Sequence, residues 1–252
     1  MKQKDSFETV SIYGIPFSKL TMKETVSWLT DAITERRGVQ VITANPIMVM
    51  AALENDKIMR IMKQADMIVP DGSGIVWAAN YAGSPLTERV TGFDLLHELM
   101  RVGEQHRWRV YMLGSAPEVI QAAKERLKQQ YPDVDIVGAR DGFFTAAEDE
   151  QVVQEIQAIA PDILFVARGA DTQEPWIAQY RDRLNASLMM GVGGSFDVIS
   201  GRLQRAPVWM QKTKLEWLYR LMKEPTRYKR MLALPKFAWK VIRDKENVLK
   251  VK

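Results

Sequence analysis

The chain has no cysteine. That absence excludes disulfides, thiolate nucleophiles and zinc–cysteine sites, and it is compatible with a reducing cytoplasm. Histidine is almost as scarce. His97 and His106 are the only two, both in polar helical surroundings, so a histidine metal site or a nucleophile–histidine triad is not expected. No run approaches 18 uninterrupted apolar residues, so no transmembrane helix is expected. The opening MKQKDSFETV lacks the apolar core of a signal peptide. A GxxxxGK(S/T) loop is absent, which removes a P-loop NTPase. No DxD triplet is placed to hold a divalent metal against a nucleotide-sugar diphosphate; the nearest pair, Asp133 and Asp135, follows Pro132 in a helix-to-strand turn. Arginines would have to do that neutralising work instead.

What is present is a chain of 252 residues, 46% hydrophobic. That is enough for one large α/β domain, alone or with an appendage. Its net charge of +4 hides a segregation. Residues 202–252 carry 15 Lys and Arg against 4 Asp and Glu, a net +11, while residues 1–201 carry 20 against 27, a net −7. An acidic body with a basic tail suggests a meeting with something anionic.

Short apolar runs punctuate residues 1–201. VQVITA, MIVP, WRVYMLG, VDIVGA, DILFVA and LMMGVG are each bounded by Gly, Pro or Asp and read as strands. FETVSIYGIPFS reads as a strand pair broken at Gly14-Ile15-Pro16. Helical patterns cover 21–36, with Thr21 and Glu24 at capping-box spacing, then a segment from Pro46 through 52, and about 92–105, 116–130, 146–160 and 173–184. This alternation predicts a Rossmann-like, mostly parallel sheet with helices on both faces. From about 202 the texture changes. Leu215, Leu218, Leu221 and Met222 recur at helical spacing, Pro225 interrupts, and Leu234, Phe237, Ala238, Val241 and Ile242 recur again. The expectation is a body over 1–201 and a C-terminal appendage over 202–252 of two or three basic amphipathic helices.

Ligands of open α/β sheets sit beyond the carboxyl ends of the strands. Four loops there carry polar residues or glycine: TANP (43–46), PDGSG (70–74), GSAPE (114–118) and GVGGSFD (191–197). Asp71 reads either as a turn and N-cap aspartate or as a carboxylate at a cleft floor, available as a general base. Asn45 reads as the N-cap before Pro46 or as a hydrogen-bonding partner of a sugar. Gly114, Gly193 and Gly194 would let backbone approach a diphosphate closely, and they also suit plain turns. Arg89 precedes a helix start at Thr91 and suits phosphate recognition. The QEPW helix start, at Gln173, follows the DILFVA strand.

In order along the chain, TANPIMVM, VPDGSGIVWAA, ERVTGFDLL, YMLGSAPE, QEPWI, GVGGSFDVISG and RAPVWMQKTKLEWLYRLMKEPTRYKR resemble the TagA/WecG/CpsF-type glycosyltransferases of bacterial surface polymers. The resemblance spans essentially the whole chain. In its TagA branch it implies inverting transfer of ManNAc from UDP-ManNAc to the 4-hydroxyl of GlcNAc on a polyprenyl diphosphate, in the linkage unit of wall teichoic acid. Carried onto matching positions, it implies Asp71 as the base, Thr43 and Asn45 as cleft polar residues, and Arg89 and Gln173 as linked to activity. Arg220, Arg227 and Arg230 then complete the site from the tail. Apart from the resemblance, the loops GSAPE and GVGGSFD lead to the expectation that Gly114, Gly193, Gly194 and Asp197 line the substrate. One departure is ARGADTQEPW, where Ala170 and Asp171 replace an expected Gly-x-Pro lead. The partners implied are UDP-ManNAc, a polyprenyl-diphosphate-GlcNAc acceptor and an anionic membrane surface. No nucleic acid and no cofactor or metal are expected, and a homo-oligomer is allowed. The implied location is cytoplasmic, peripheral on the inner face of the bacterial plasma membrane. Rival readings are the same chemistry with UDP-ManNAcA, a nucleotide-sugar sensor without catalysis, and a basic-tailed nucleic-acid module.

Overall fold

The computed structural model describes residues 7–169, 171–213 and 215–250. Ala170, in the departure noted above, lies outside them. The chain opens with an antiparallel hairpin, β1 (Thr9–Ile12) and β2 (Ile15–Ser18), in which Ile12 faces Ile15 across a two-residue turn. Tyr13 and Gly14 both take positive φ, 52° and 81°, the pattern of a turn whose twist matches its strands. Thr21 then caps α1 (Met22–Thr34) in the expected capping box with Glu24.

From there strands and helices alternate: β3 (Val39–Ala44), α2 (Pro46–Glu54), α3 (Asp56–Gln64), β4 (Met67–Pro70), α4 (Ser73–Tyr81), α5 (Gly92–His106), β5 (Arg109–Gly114), α6 (Pro117–Gln130), β6 (Asp135–Arg140), α7 (Asp149–Ile159), β7 (Ile163–Ala167), α8 (Gln173–Leu184), β8 (Leu188–Gly191) and α9 (Ser195–Ile199). Among these, the short α9 has no counterpart in the sequence reading, and neither does α3. Its segment, DKIMRIMKQ, is strongly charged and buries only Ile61 and Met62, but Asn55 caps it through bonds from the Lys57 and Ile58 N–H groups.

Strands β3 to β8 form one six-stranded sheet in the order β4-β3-β8-β7-β5-β6, with every pair parallel. The last strand made, β8, therefore sits in the middle. Successive side chains of a strand point to opposite faces, and here both faces are covered. Val41, Val69, Met112, Phe165 and Met190 pack toward α1, α5, α6 and α9. Leu113, Leu164, Val166 and Met189 pack toward α7 and α8, and Ile42 and Ile68 toward α2, α3, α4 and the hairpin. Burial on both faces explains why the strands read as unbroken apolar runs.

The basic region continues as α10 (Val208–Lys212), α11 (Glu216–Lys223), α12 (Tyr228–Met231) and α13 (Ala233–Asp244), with a 3-10 turn at Pro225–Arg227. Pro225 does end the α11 pattern, as expected. These helices are not equivalent. α13 packs on α2 and α4, and its Phe237 and Val241 are buried in the same cluster as Ile42 and Ile68. Beyond it, Val248 is also buried, and its carbonyl accepts the Tyr13 N–H at 2.7 Å. By contrast, α11 and α12 bury no residue. Trp209, Trp217, Met222, Tyr228 and Trp239 are exposed along this region. Among the described residues, no helix is long and apolar enough to cross a membrane.

Candidate active site

The carboxyl ends of β3, β4 and β8 meet at one edge of the sheet. Thr43, near the end of β3, donates its hydroxyl to the Gly191 carbonyl that ends β8, at 3.3 Å. Gly92, the first residue of α5, lies directly on Thr43: a Cβ there would come within 2.9 Å of the threonine Oγ1. Asn45 is the cap the sequence suggested. Its Oδ1 accepts the Ile47 and Met48 N–H groups at 3.0 and 3.2 Å.

Asp71 behaves differently. The N-cap of the following helix, α4, is Gly72, with no side-chain cap bond, so Asp71 does not serve that helix. Its N–H extends the β4–β3 ladder to the Ala44 carbonyl at 2.9 Å. Its carboxylate turns toward α5 and accepts the Gly92 N–H at 3.2 Å. The segment leading into α5 is drawn alongside by a bond from the Val90 N–H to the Pro70 carbonyl at 3.1 Å. Burial pushes the Asp71 carboxyl up to about 6; the Gly92 N–H, Arg89 and Arg220 oppose the rise, and the Glu216 carboxylate adds to it. Desolvation wins over two arginines and a helix N-terminus. The result is a carboxylate that is ionised at neutral pH yet readily takes a proton.

Around it stands an arginine set from both ends of the chain. Arg89 pairs with Glu216 of α11. Arg205 holds Asp94 in a fork, 2.6 and 2.9 Å, and its Nε lies 3.7 Å from Glu216. Arg220 reaches Gly194, where a Cβ would lie 2.7 Å from its Nη2. Protein crowding, then Arg227, pushes the Arg220 guanidinium down, while Glu224, Asp71 and Asp197 pull it up. Arg227 pairs with Glu224 at 3.1 Å. Arg230, on α12, is exposed and makes none of these contacts.

Beneath the glycine loop after β8 is a buried polar network. The Gly193 N–H donates to Gln173 Oε1 at 3.2 Å, and Gln173 Nε2 donates to Glu174 Oε1 at 3.0 Å. Gln40 Nε2 donates to Glu174 Oε2 at 3.1 Å. Gln173 and Glu174 are both buried, so Gln173 spends its amide on shaping the loop. Burial raises the Glu174 carboxyl to about 7, offset in part by the two amides. Gly191 leaves the space this network fills, since a Cβ there would collide with Glu174 Oε1 and the Gln173 amide. Gly193 takes φ +51° and is open on its outer side, with nothing within 4 Å of a Cβ position.

The structure thus gathers Thr43, Asp71, Arg89, Arg220, Gly193 and Gly194 about one edge, with Gln173 below. Asp197, in the first turn of α9, sits 3.9 Å from Arg202 and influences Arg220. Gly114 stands apart, at the end of β5, which β7 separates from β8. It takes φ +119°, and a Cβ there would also strike the Ala167 carbonyl, so both the backbone and the space call for glycine. Arg205, Asp94, Glu216, Glu174 and Gln40 belong to the arrangement but were not singled out in the sequence. Among the described residues no three His, Asp or Glu side chains gather as a metal-binding set.

A profile of the glycosyl transferase WecG/TagA/CpsF family matches residues 10–250. The N-acetylglucosaminyldiphosphoundecaprenol N-acetyl-beta-D-mannosaminyltransferase of Bacillus spizizenii is 36% identical over 94% of this chain and 91% of its own length. The protein of the same name from Bacillus subtilis is 33% identical over 95% of this chain and 93% of its own. The Staphylococcus aureus protein of that name is 32% identical over 100% of this chain and 99% of its own. By this full-length match the chain belongs to the WecG/TagA/CpsF family of glycosyl transferases.

Proposed function

We propose that this chain transfers ManNAc from UDP-ManNAc to the 4-hydroxyl of GlcNAc on a polyprenyl diphosphate, the linkage-unit step of wall teichoic acid assembly. The names of its full-length relatives specify the acceptor and the sugar. The observation that carries the reading is Asp71, poised near pH 6 beside a set of arginines at the sheet's carboxyl edge. In the proposed reaction Asp71 takes the proton of the GlcNAc hydroxyl as that oxygen attacks C1 of ManNAc. UDP departs from the opposite face, which inverts the anomeric centre. Arg220, with Arg89 and Arg227 nearby, neutralises the departing diphosphate in place of a divalent cation. Thr43 and Asn45 line the acceptor side, and Gln173 holds the glycine loop that meets the donor.

The lipid acceptor places the work at an anionic membrane. The exposed Trp209, Trp217 and Trp239, together with the +11 of residues 202–252, suit peripheral attachment to the cytoplasmic face. Each Lys or Arg held near such a surface is worth about 1 kcal/mol. The deciding assay offers purified protein a panel of UDP-sugars and a short-chain polyprenyl-diphosphate-GlcNAc analogue, with products read by mass and their anomeric configuration by the C1–H1 coupling in NMR. A ManNAc adduct with β configuration, formed equally in chelator, supports the reading. An adduct only with UDP-ManNAcA, or none with any donor, defeats it.

A further inference from the structure

We infer that Glu216 is the positioning residue that seats α11, and with it Arg220, over the reaction site. The inference rests on the function just proposed and extends it. An amphipathic helix is ordinarily held by its apolar face, yet α11 buries no residue, and Trp217 and Met222 point to solvent. Leu218, Tyr219 and Leu221 are only half-buried, and the main neighbours of α11 are α10, α12 and the 3-10 turn between α11 and α12, so its hold on the body leans on polar contacts.

That hold is Glu216, at the first position of the helix. Its carboxylate pairs with Arg89 and lies 3.7 Å from Arg205 Nε. Arg205 is itself fixed: it forks onto Asp94 at 2.6 and 2.9 Å and lies over the Phe93 ring at 4.7 Å. Asp94 in turn exchanges hydrogen bonds with Thr91, the cap of α5. The chain of contacts therefore starts at the helix end whose Gly92 N–H binds Asp71. One turn along α11 from Glu216, at i+4 and so on the same face, Arg220 projects to Gly194. A single carboxylate thus registers the tail's arginine against the base. Without it, Arg89 loses its Glu216 partner, Arg205 keeps only Asp94, and α11 loses its anchor.

The experiment uses the full chain with Glu216→Ala, Arg220→Gln, the double variant and Glu216→Asp. Alanine is the best helix former, so Glu216→Ala removes the carboxylate without lowering the intrinsic helix propensity of α11. The expected result is a fall in kcat of about tenfold or more for each single variant, with the double variant within about twofold of Arg220→Gln alone, because both act through one group. Glu216→Asp, which keeps a carboxylate, recovers most of the rate. Amide hydrogen exchange over 216–223 quickens in Glu216→Ala while exchange in α5 and the sheet is unchanged. Losses that multiply in the double variant, or wild-type turnover and exchange in Glu216→Ala, overturn the inference. Should the wild-type chain transfer no sugar, the function proposed above fails; the exchange measurement still decides whether Glu216 seats α11.

Discussion

Replacing Asp71 with Asn should make the protein more stable and nearly inactive, and both effects can be sized. Asparagine has the shape of a protonated aspartate and keeps an oxygen to accept the Gly92 N–H. Folding carries the Asp71 carboxyl from 3.8 to about 6. At about 1.4 kcal/mol per tenfold change in proton affinity, ionising it in the folded state costs about 3 kcal/mol. The folded protein keeps this proton to a higher pH than the unfolded chain does. Wild-type stability therefore falls as pH rises from about 4 through about 6, and the advantage of Asp71→Asn is absent below about pH 4 and complete above about pH 6. For a chain of this size, 3 kcal/mol corresponds to roughly 6–12 °C in apparent Tm. Loss of a general base lowers kcat by roughly 10²–10⁴-fold. Thermal melts at pH 4 and pH 8, with turnover at pH 8, check both halves. Equal or lower stability of Asp71→Asn at pH 8 refutes the desolvated carboxylate. Near-normal turnover refutes the base.

Four further outcomes follow from the same geometry. The acid limb of kcat/KM should bend near pH 6, losing about tenfold per unit below it as Asp71 takes a proton; a profile flat to pH 5 contradicts that. Gly191→Ala should lower the melting temperature sharply, since its methyl would intrude on the Glu174 and Gln173 side chains; a wild-type melt would show that the network can move aside. Phe237→Ala should cost about 3–5 kcal/mol in chemical denaturation, because Phe237 is fully enclosed by body residues. Changing Trp209, Trp217 and Trp239 together to Ser should weaken sedimentation with anionic vesicles while leaving the melt unchanged; undiminished vesicle binding removes the membrane role of these exposed tryptophans.

The vesicle test uses surface substitutions rather than truncation for a structural reason. The basic, amphipathic character of residues 202–252 marks them off in sequence, but apolar spacing does not say what a face packs against. Phe237 and Val241 recur at helical spacing just as Leu218 and Leu221 do. The first pair completes the body's core and the second does not. The strands were legible because burial on both faces makes each an unbroken apolar run. Helix α3 was not, since its charged segment offers only a narrow stripe and its signal is the cap at Asn55. At the site, Asn45 followed its local pattern as a cap. Asp71 could not be read that way, because what turns its carboxyl is Gly92, 21 residues on. Arg205, Asp94 and Glu216 went unremarked because charged residues at a surface look alike until the fold brings their partners from 111 and 127 positions away.

The central place of β8 bears on how the protein comes into being. Until residues 188–191 leave the ribosome, β3 and β7 have no strand between them, so β3–β4 and β7–β5–β6 exist as two unjoined halves. Each half offers an open edge of unpaired backbone groups, the kind that other chains can join. The nascent polypeptide is thus open to such joining until β8 is made, and cold-sensitive or chaperone-dependent expression should trace to substitutions in this late, closing strand.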